Sequence, residues 1–165
     1  MKNINSKIGI SQRLKTSVPF SINLNKWVEY EFNLLPFKVV FVDSEPYESF
    51  EQMFTDFEAM GVLYISTLHC ENTIFGDPLV NQKFRAIHDF QHILHELDFS
   101  FESELIVNYH QNRIALQSGL LNKFDRELLN IETAGQIMYF RQYGIFPDDQ
   151  RQFAINELNK TFKIR

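Results

Sequence analysis

Cap residues divide the second half of this chain into segments of helical length, and that punctuation constrains the fold more than any other feature. Asp77-Pro78 pairs a capping carboxylate with a proline suited to the first helical position, predicting a helix to about Leu97. Asp98 and Ser100 precede a second, about Phe101 to Gln117, closed near Gly119. Asn122 caps a third that reaches about Tyr143 and ends at Gly144, and Pro147-Asp148-Asp149 opens a last one through about Asn159. Only six glycines and five prolines occur in 165 residues, too few for a sandwich or barrel with many turns. Residues 77–160 therefore predict a four-helix bundle-like body.

The preceding region alternates differently. Trp27 to Asp43 is rich in aromatic and β-branched residues, and Lys38 to Asp43 reads as a buried strand. Ser44-Glu45-Pro46-Tyr47 punctuates it. From Ser49, the apolar positions Phe50, Met53, Phe54, Phe57 and Met60 form a helical stripe, with Gly61 placed as its C-cap. Val62 to Thr67 follows as a second strand. Strand, helix and strand in that order predict a small βαβ unit, parallel under the usual crossover rule. The expected fold class is α+β, mostly α, with the helical body packed beside this sheet. Residues 1–25 are polar and aperiodic and read as an arm. Residues 26–165 read as one globular domain, the sheet and its helix lying within 26–68, and 17 phenylalanines supply much of its buried area.

Several function classes are disfavoured. A net charge of −5 gives no basic footprint for nucleic acid, and the basic stretch from Lys160 to Arg165 reads as a solvated tail. Cys70 is the single cysteine, so no intrachain disulfide forms and a multi-cysteine zinc site is excluded. Its neighbours His69 and Glu71 point away from it on an extended chain, which makes Cys70 a buried bystander. No apolar run approaches the ~20 residues that span a bilayer, and the N-terminus lacks an apolar signal core. The expected compartment is the cytoplasm of a bacterium or phage-infected cell, with the virion as the alternative.

The chemistry concentrates in the predicted helix 77–97. His88 and His92 are four apart, one turn above each other, and can hold one cation. Ile87, Phe90, Leu94 and Leu97 are expected to form the core stripe, placing His88, His92 and His95 on another flank beside Phe84 and Gln91. His88-Asp89-Phe90-Gln91-His92 differs from the HExxH zinc-protease pattern by aspartate for glutamate. Glu104 opens the next helix, where a carboxylate also complements the helix dipole, as Glu102 does equally. Asn108 and Gln111 share the Glu104 face, whereas His110 lies roughly 120° around from it at ~3.6 residues per turn. Glu132 and Gln136, one turn apart, interrupt an apolar stretch, and a buried glutamate requires a partner, solvent or a metal. Gly135 between them costs about 1 kcal/mol of helix propensity, which a closely approaching helix or ligand would explain. Two imidazoles with one or two carboxylates suit zinc, or iron or manganese in a two-histidine, one-carboxylate set.

Asn81-Gln-Lys-Phe84-Arg85-Ala-Ile-His88-Asp89-Phe-Gln-His92, the Ser103-Glu104 pair and Glu132-Thr133-Ala-Gly135-Gln136 resemble segments of a family of uncharacterised proteins of bacteriophages and their hosts. The likeness extends over roughly residues 40–153, with Ser103 standing where glycine is frequent. It implies a phage-linked protein with a polar or metal site and no established reaction.

Two functions compete. The first is a metal-dependent enzyme, most simply a hydrolase. It has His88, His92 and Glu132 as ligands and Glu104 as a fourth ligand or general base. Asp89 orients a histidine, and Gln136 orients water or substrate. The second is a non-catalytic phage interaction or virion-associated protein, a homo-oligomer or a partner of a phage or host protein, with a structural polar or metal cluster. Phosphate-loop and Gly-x-Ser-x-Gly motifs are absent.

Overall fold

The computed structural model describes residues 17–162. The arm expected over 1–25 lies outside the described residues as far as residue 16, and residues 22–25 belong to a helix. Ser21 accepts a hydrogen bond from the Leu24 amide at 3.0 Å and starts α1 (Ile22–Asn33). Leu24, Trp27 and Val28 form its buried face, which lies on α3 and α5 of the helical body.

The sheet has the expected order and sense. Strand β1 (Lys38–Val42) pairs in parallel with β2 (Val62–Ser66), from Lys38 opposite Val62 to Val42 opposite Ser66. Helix α2 (Phe50–Met60) joins them. Ser49 caps its start, and Gly61 closes it at φ 63°, a left-handed conformation that suits glycine. Helix α3 (Pro78–His95), α4 (Phe101–Ser118), α5 (Lys123–Asn130), α6 (Gln136–Tyr143) and α7 (Gln150–Phe162) make up the helical body. Asp77, Ser100 and Asn122 cap the first three through their side chains. The long helix expected from Asn122 to Tyr143 is continuous but not uniform, because Ile131–Gly135 is a π turn between α5 and α6.

Helix α3 divides two apolar clusters. Ala86 and Ile93 pack with Met53, Leu63 and Ile65 under the sheet. Val80, Phe84 and Ile87 pack with Trp27, Phe75, Leu128 and Leu129 in the helical core. The expected core stripe of α3 is corrected by these contacts. Leu94 is 55% exposed, whereas His92 is 0% exposed. The reason is enclosure: β2, α1 and α4 all pack against α3, so its buried arc is wide and includes polar residues, while Leu79 in its first turn and Leu94 in its last emerge. Gly135 is corrected too. An added Cβ would meet Phe153 of α7 at 3.6 Å, an ordinary contact, so no close approach demands glycine there.

Close approach does demand glycine at Gly76. Its φ is 69°, and an added Cβ would overlap the Ser17 carbonyl oxygen and lie 2.8 Å from the Pro19 nitrogen. The 17–20 segment is tied there by Ser17 N to Gly76 O at 2.6 Å and Phe20 N to Ile74 O at 2.9 Å. Gly76→Ala is therefore expected to lower stability by about 1–3 kcal/mol through strain alone, with more from displacement of the segment; urea unfolding checks this, and an unchanged midpoint contradicts the packing described.

Candidate metal centre

The α3–α4 turn is built to hold imidazoles. Glu96 takes a left-handed conformation at φ 51° and turns the chain back after His95. The Leu97 amide then donates to His92 O at 2.9 Å, and the Leu97 carbonyl accepts from His92 Nδ1 at 3.0 Å. Asp98 Oδ1 accepts from the Ser100 amide, the Ser100 hydroxyl and the Ser103 hydroxyl at 3.0, 2.5 and 2.6 Å. That rigid turn sets Glu104, in the first turn of α4, against α3. Ser103 is thus part of the turn's bonding.

His88 Nδ1 faces Gln111 Oε1 of α4 at 3.1 Å. With both Nδ1 atoms committed as donors to oxygen, both Nε2 atoms point inward. They lie 3.2 Å apart, and Glu104 Oε2 is 3.1 Å from His88 Nε2 while Oε1 is 3.5 Å from His92 Nε2. These three donors form a group that could hold a metal ion. A tetrahedral ion with bonds of about 2.0–2.1 Å has ligand atoms roughly 3.3–3.4 Å apart, close to the separation of the two Nε2 atoms, and Glu104 turns a different oxygen to each ring. Pinning Nδ1–H on an oxygen acceptor is also how proteins present Nε2 to a metal.

The electrostatics of the metal-free cluster follow from the same contacts. Burial works against a charged His88, but hydrogen bonding and attraction from Glu104, aided by Asp89 and Gln111, raise its pKa to about 9. Burial likewise opposes a charged Glu104, yet His88 and His92 hold it well below the usual carboxylate range.

A cavity of about 230 Å³ opens beside the cluster. His88 and Glu104 form one wall, and Glu132 and Gln136, from the π turn and the start of α6, form another. Glu132 lies outside the three-donor group. It is 9% exposed, and its Oε2 has no hydrogen-bond partner among the described residues. Burial lifts its carboxyl to about 8, against the opposing influence of Arg85 and Gln136. Thr133 ties this wall to α4, its hydroxyl bonding Asn108 Oδ1 and also the Leu129 carbonyl at 2.8 Å.

The other residues singled out by sequence fall elsewhere. Asp89 lines a separate cleft with Tyr47, Met53 and Phe99; it makes no hydrogen bond to either imidazole, and Gln111 and the Leu97 carbonyl orient the rings instead. Burial raises the Asp89 pKa against the pull of His88 and His92. His95 and His110 stack on each other with centroids 3.8 Å apart, outside the cluster. Cys70 is buried, donating its thiol to Leu68 O at 3.5 Å, and burial raises its pKa. Asn81 and Arg85, which line the cavity, were not singled out as site residues. The signal was present, since Asn81, Phe84, Arg85 and His88 follow the spacing of one helix face.

Compared with family models, curated proteins and solved structures, the chain matches none.

The charge pair has a pH signature, to be read in protein kept metal-free with a chelator. His88, raised from 6.5 to about 9, stabilises the fold fully below pH 6.5 and loses that contribution as pH rises to about 9. Glu104, depressed below 4.5, contributes above that pH and loses its contribution in acid. Stability should therefore fall on the order of 1–3 kcal/mol between pH 6.5 and 9 through His88; Glu132, raised to about 8, acts in the same direction, and Glu104→Gln should remove the His88 share of the fall. Denaturant titrations across the range decide it; a wild type as stable at pH 9 as at pH 6.5 would refute the pairing.

Proposed function

We propose that this protein is a metal-dependent enzyme, most simply a hydrolase, with His88, His92 and Glu104 as ligands. The observation that carries the reading is the donor set: two Nε2 atoms and a carboxylate 3.1–3.5 Å apart, each ring fixed through its other nitrogen. That donor set suits zinc, or iron or manganese bound by two histidines and one carboxylate. Such a cation supplies Lewis-acid polarisation and makes a coordinated water acidic near neutral pH.

Three protein ligands leave the side toward the cavity open, which is the arrangement of catalytic rather than structural sites. Glu132, on the facing wall, is the group that takes and returns a proton. A carboxyl near 8 is suited to both directions close to neutral pH. Gln136 is placed to orient the reacting water or substrate. The association with phages, drawn from the sequence likeness, belongs to this reading as context and names no substrate.

A second reading rests on a different surface. From Phe140 to Phe146 every residue is exposed, including Tyr143 at 57% and Ile145 at 57%, a concentration of apolar side chains of the kind that marks interaction sites.

Elemental analysis of protein purified without a polyhistidine tag tests the first reading. One equivalent of a transition metal is expected, with less than a tenth of that in the His88→Ala/His92→Ala variant. In cobalt-substituted protein, azide should shift the visible bands by occupying the open position. Glu132→Gln should keep the metal and lower any metal-dependent turnover of chromogenic esters by about 100-fold or more. Equal metal in the double-histidine variant would remove the proposal.

A further inference from the structure

Arg85 carries a charge that no ion pair satisfies. Its guanidinium is fixed at the C-terminal end of β2 by backbone carbonyls. Nη1 donates to Ser66 O at 3.4 Å and Leu68 O at 2.8 Å, and Nη2 donates to His69 O at 3.2 Å. Carbonyls set the position of the group without neutralising it. Among the described residues no carboxylate forms an ion pair with it. The Nε hydrogen and the second Nη2 hydrogen are left over, and together these can form a fork for an oxyanion.

This guanidinium stands in the shared wall of two cavities. One is the 230 Å³ space beside His88 and Glu104; the other, of about 570 Å³, adjoins it through Arg85, Phe146 and Gln150. One turn earlier on α3, Asn81 lines the smaller cavity at 3% exposure; its amide neighbours the Cys70 thiol, and its Nδ2 has no oxygen acceptor among the described residues. A thiol is a weak acceptor and leaves much of a buried amide's cost unmet. Residues four apart on a helix meet side by side, so the under-satisfied amide and the unused guanidinium edge suit the same complement, an acceptor with negative charge.

We infer that the cavity takes a small molecule by a carboxylate or phosphate oxyanion seated between Arg85 and Asn81, with its remaining atoms directed toward His88 and Glu104. At ~30 Å³ per water-sized group, the smaller cavity has room for about eight such groups. The inference rests on the proposed function for what happens to the ligand, but the oxyanion grip itself needs no metal. In the bland alternative, Arg85 only offsets Glu132 and Asp89 at longer range and binds nothing.

Calorimetric titration of inorganic phosphate and of succinate into the full chain, once with chelator and once metal-loaded, separates these. Saturable binding of at least one probe is expected in both conditions, and the probe that binds tells phosphate from carboxylate. Arg85→Lys, which keeps the charge and loses the fork, should weaken it at least tenfold. Asn81→Asp sets a carboxylate beside the guanidinium, leaves the carbonyl bonds in place and should abolish binding; it decides the matter if Arg85→Lys does not fold by circular dichroism. Absence of binding in both conditions, or wild-type affinity in both variants, overturns the inference. Metal retained with Arg85-independent anion binding sinks this inference alone. Arg85-dependent binding to a chain that retains no metal sinks the metal-centre reading alone.

Discussion

Two imidazoles and a carboxylate set between α3 and α4, His92 fully buried and His88 and Glu104 half-buried, are the constraint around which this molecule is arranged. Charged groups withdrawn from water are costly unless hydrogen bonds or opposite charges match them. That requirement explains features that look unrelated in the chain. The left-handed Glu96 brings the Leu97 carbonyl to His92. The Asp98–Ser100–Ser103 knot sets where α4 begins. Gln111, almost two turns beyond Glu104, supplies the acceptor for His88. An apolar substitution at any one of these would strand the others without partners, so the cluster is a unit rather than a collection of contacts.

Element boundaries were largely legible because cap chemistry is local. Asp77, Ser49, Ser100 and Asn122 each satisfy an amide within three residues, and Gly61, Gly119 and Gly144 each adopt the left-handed conformation at a helix end. Helix α1 escaped notice although Ser21, Leu24, Trp27 and Val28 carry a cap and an apolar face, since the intervening asparagines dilute the pattern. The burial of α3 was legible in part: Ile87 and Phe90 of the expected stripe do pack inward, but the buried polar residues were not foreseen. Periodicity arguments assume one core face and one wet face, and α3 has neighbours on three sides. For the site, the pairing of His88 with His92 was available from spacing on one helix. The distance from that pair to Glu132 depends on how separate helices pack, which no local pattern encodes.

The π turn is the clearest case of structure beyond the pattern. Leu128 to Met138 reads as an ordinary helix, yet one extra residue is accommodated at Ile131–Gly135. The Thr133 hydroxyl competes for the Leu129 carbonyl, the kind of back-bonding that loosens a helix. The consequence is a wall on which Glu132, Thr133 and Gln136 are all buried. Such turns are poorer in backbone bonding than the α-helix and recur at functional sites, and here the turn faces the cavity that adjoins the three donors.

Charge balance then links the centre to what the cavity can accept. Without metal, the charged His88 and Glu104 cancel each other. A divalent cation held as proposed would displace the proton from His88 Nε2 and would carry more charge than the Glu104 carboxylate offsets. Arg85 adds a further positive charge. The nearby acids that could answer this excess, Asp89 and Glu132, both have pKa values raised by burial and so resist ionisation. With a cation held as proposed, the cavity would attract an anion more strongly, and a bound anion would make the cation harder to lose. By linkage the two proposed affinities would then reinforce each other, the cation resting on His88, His92 and Glu104 and the anion on Arg85 and Asn81.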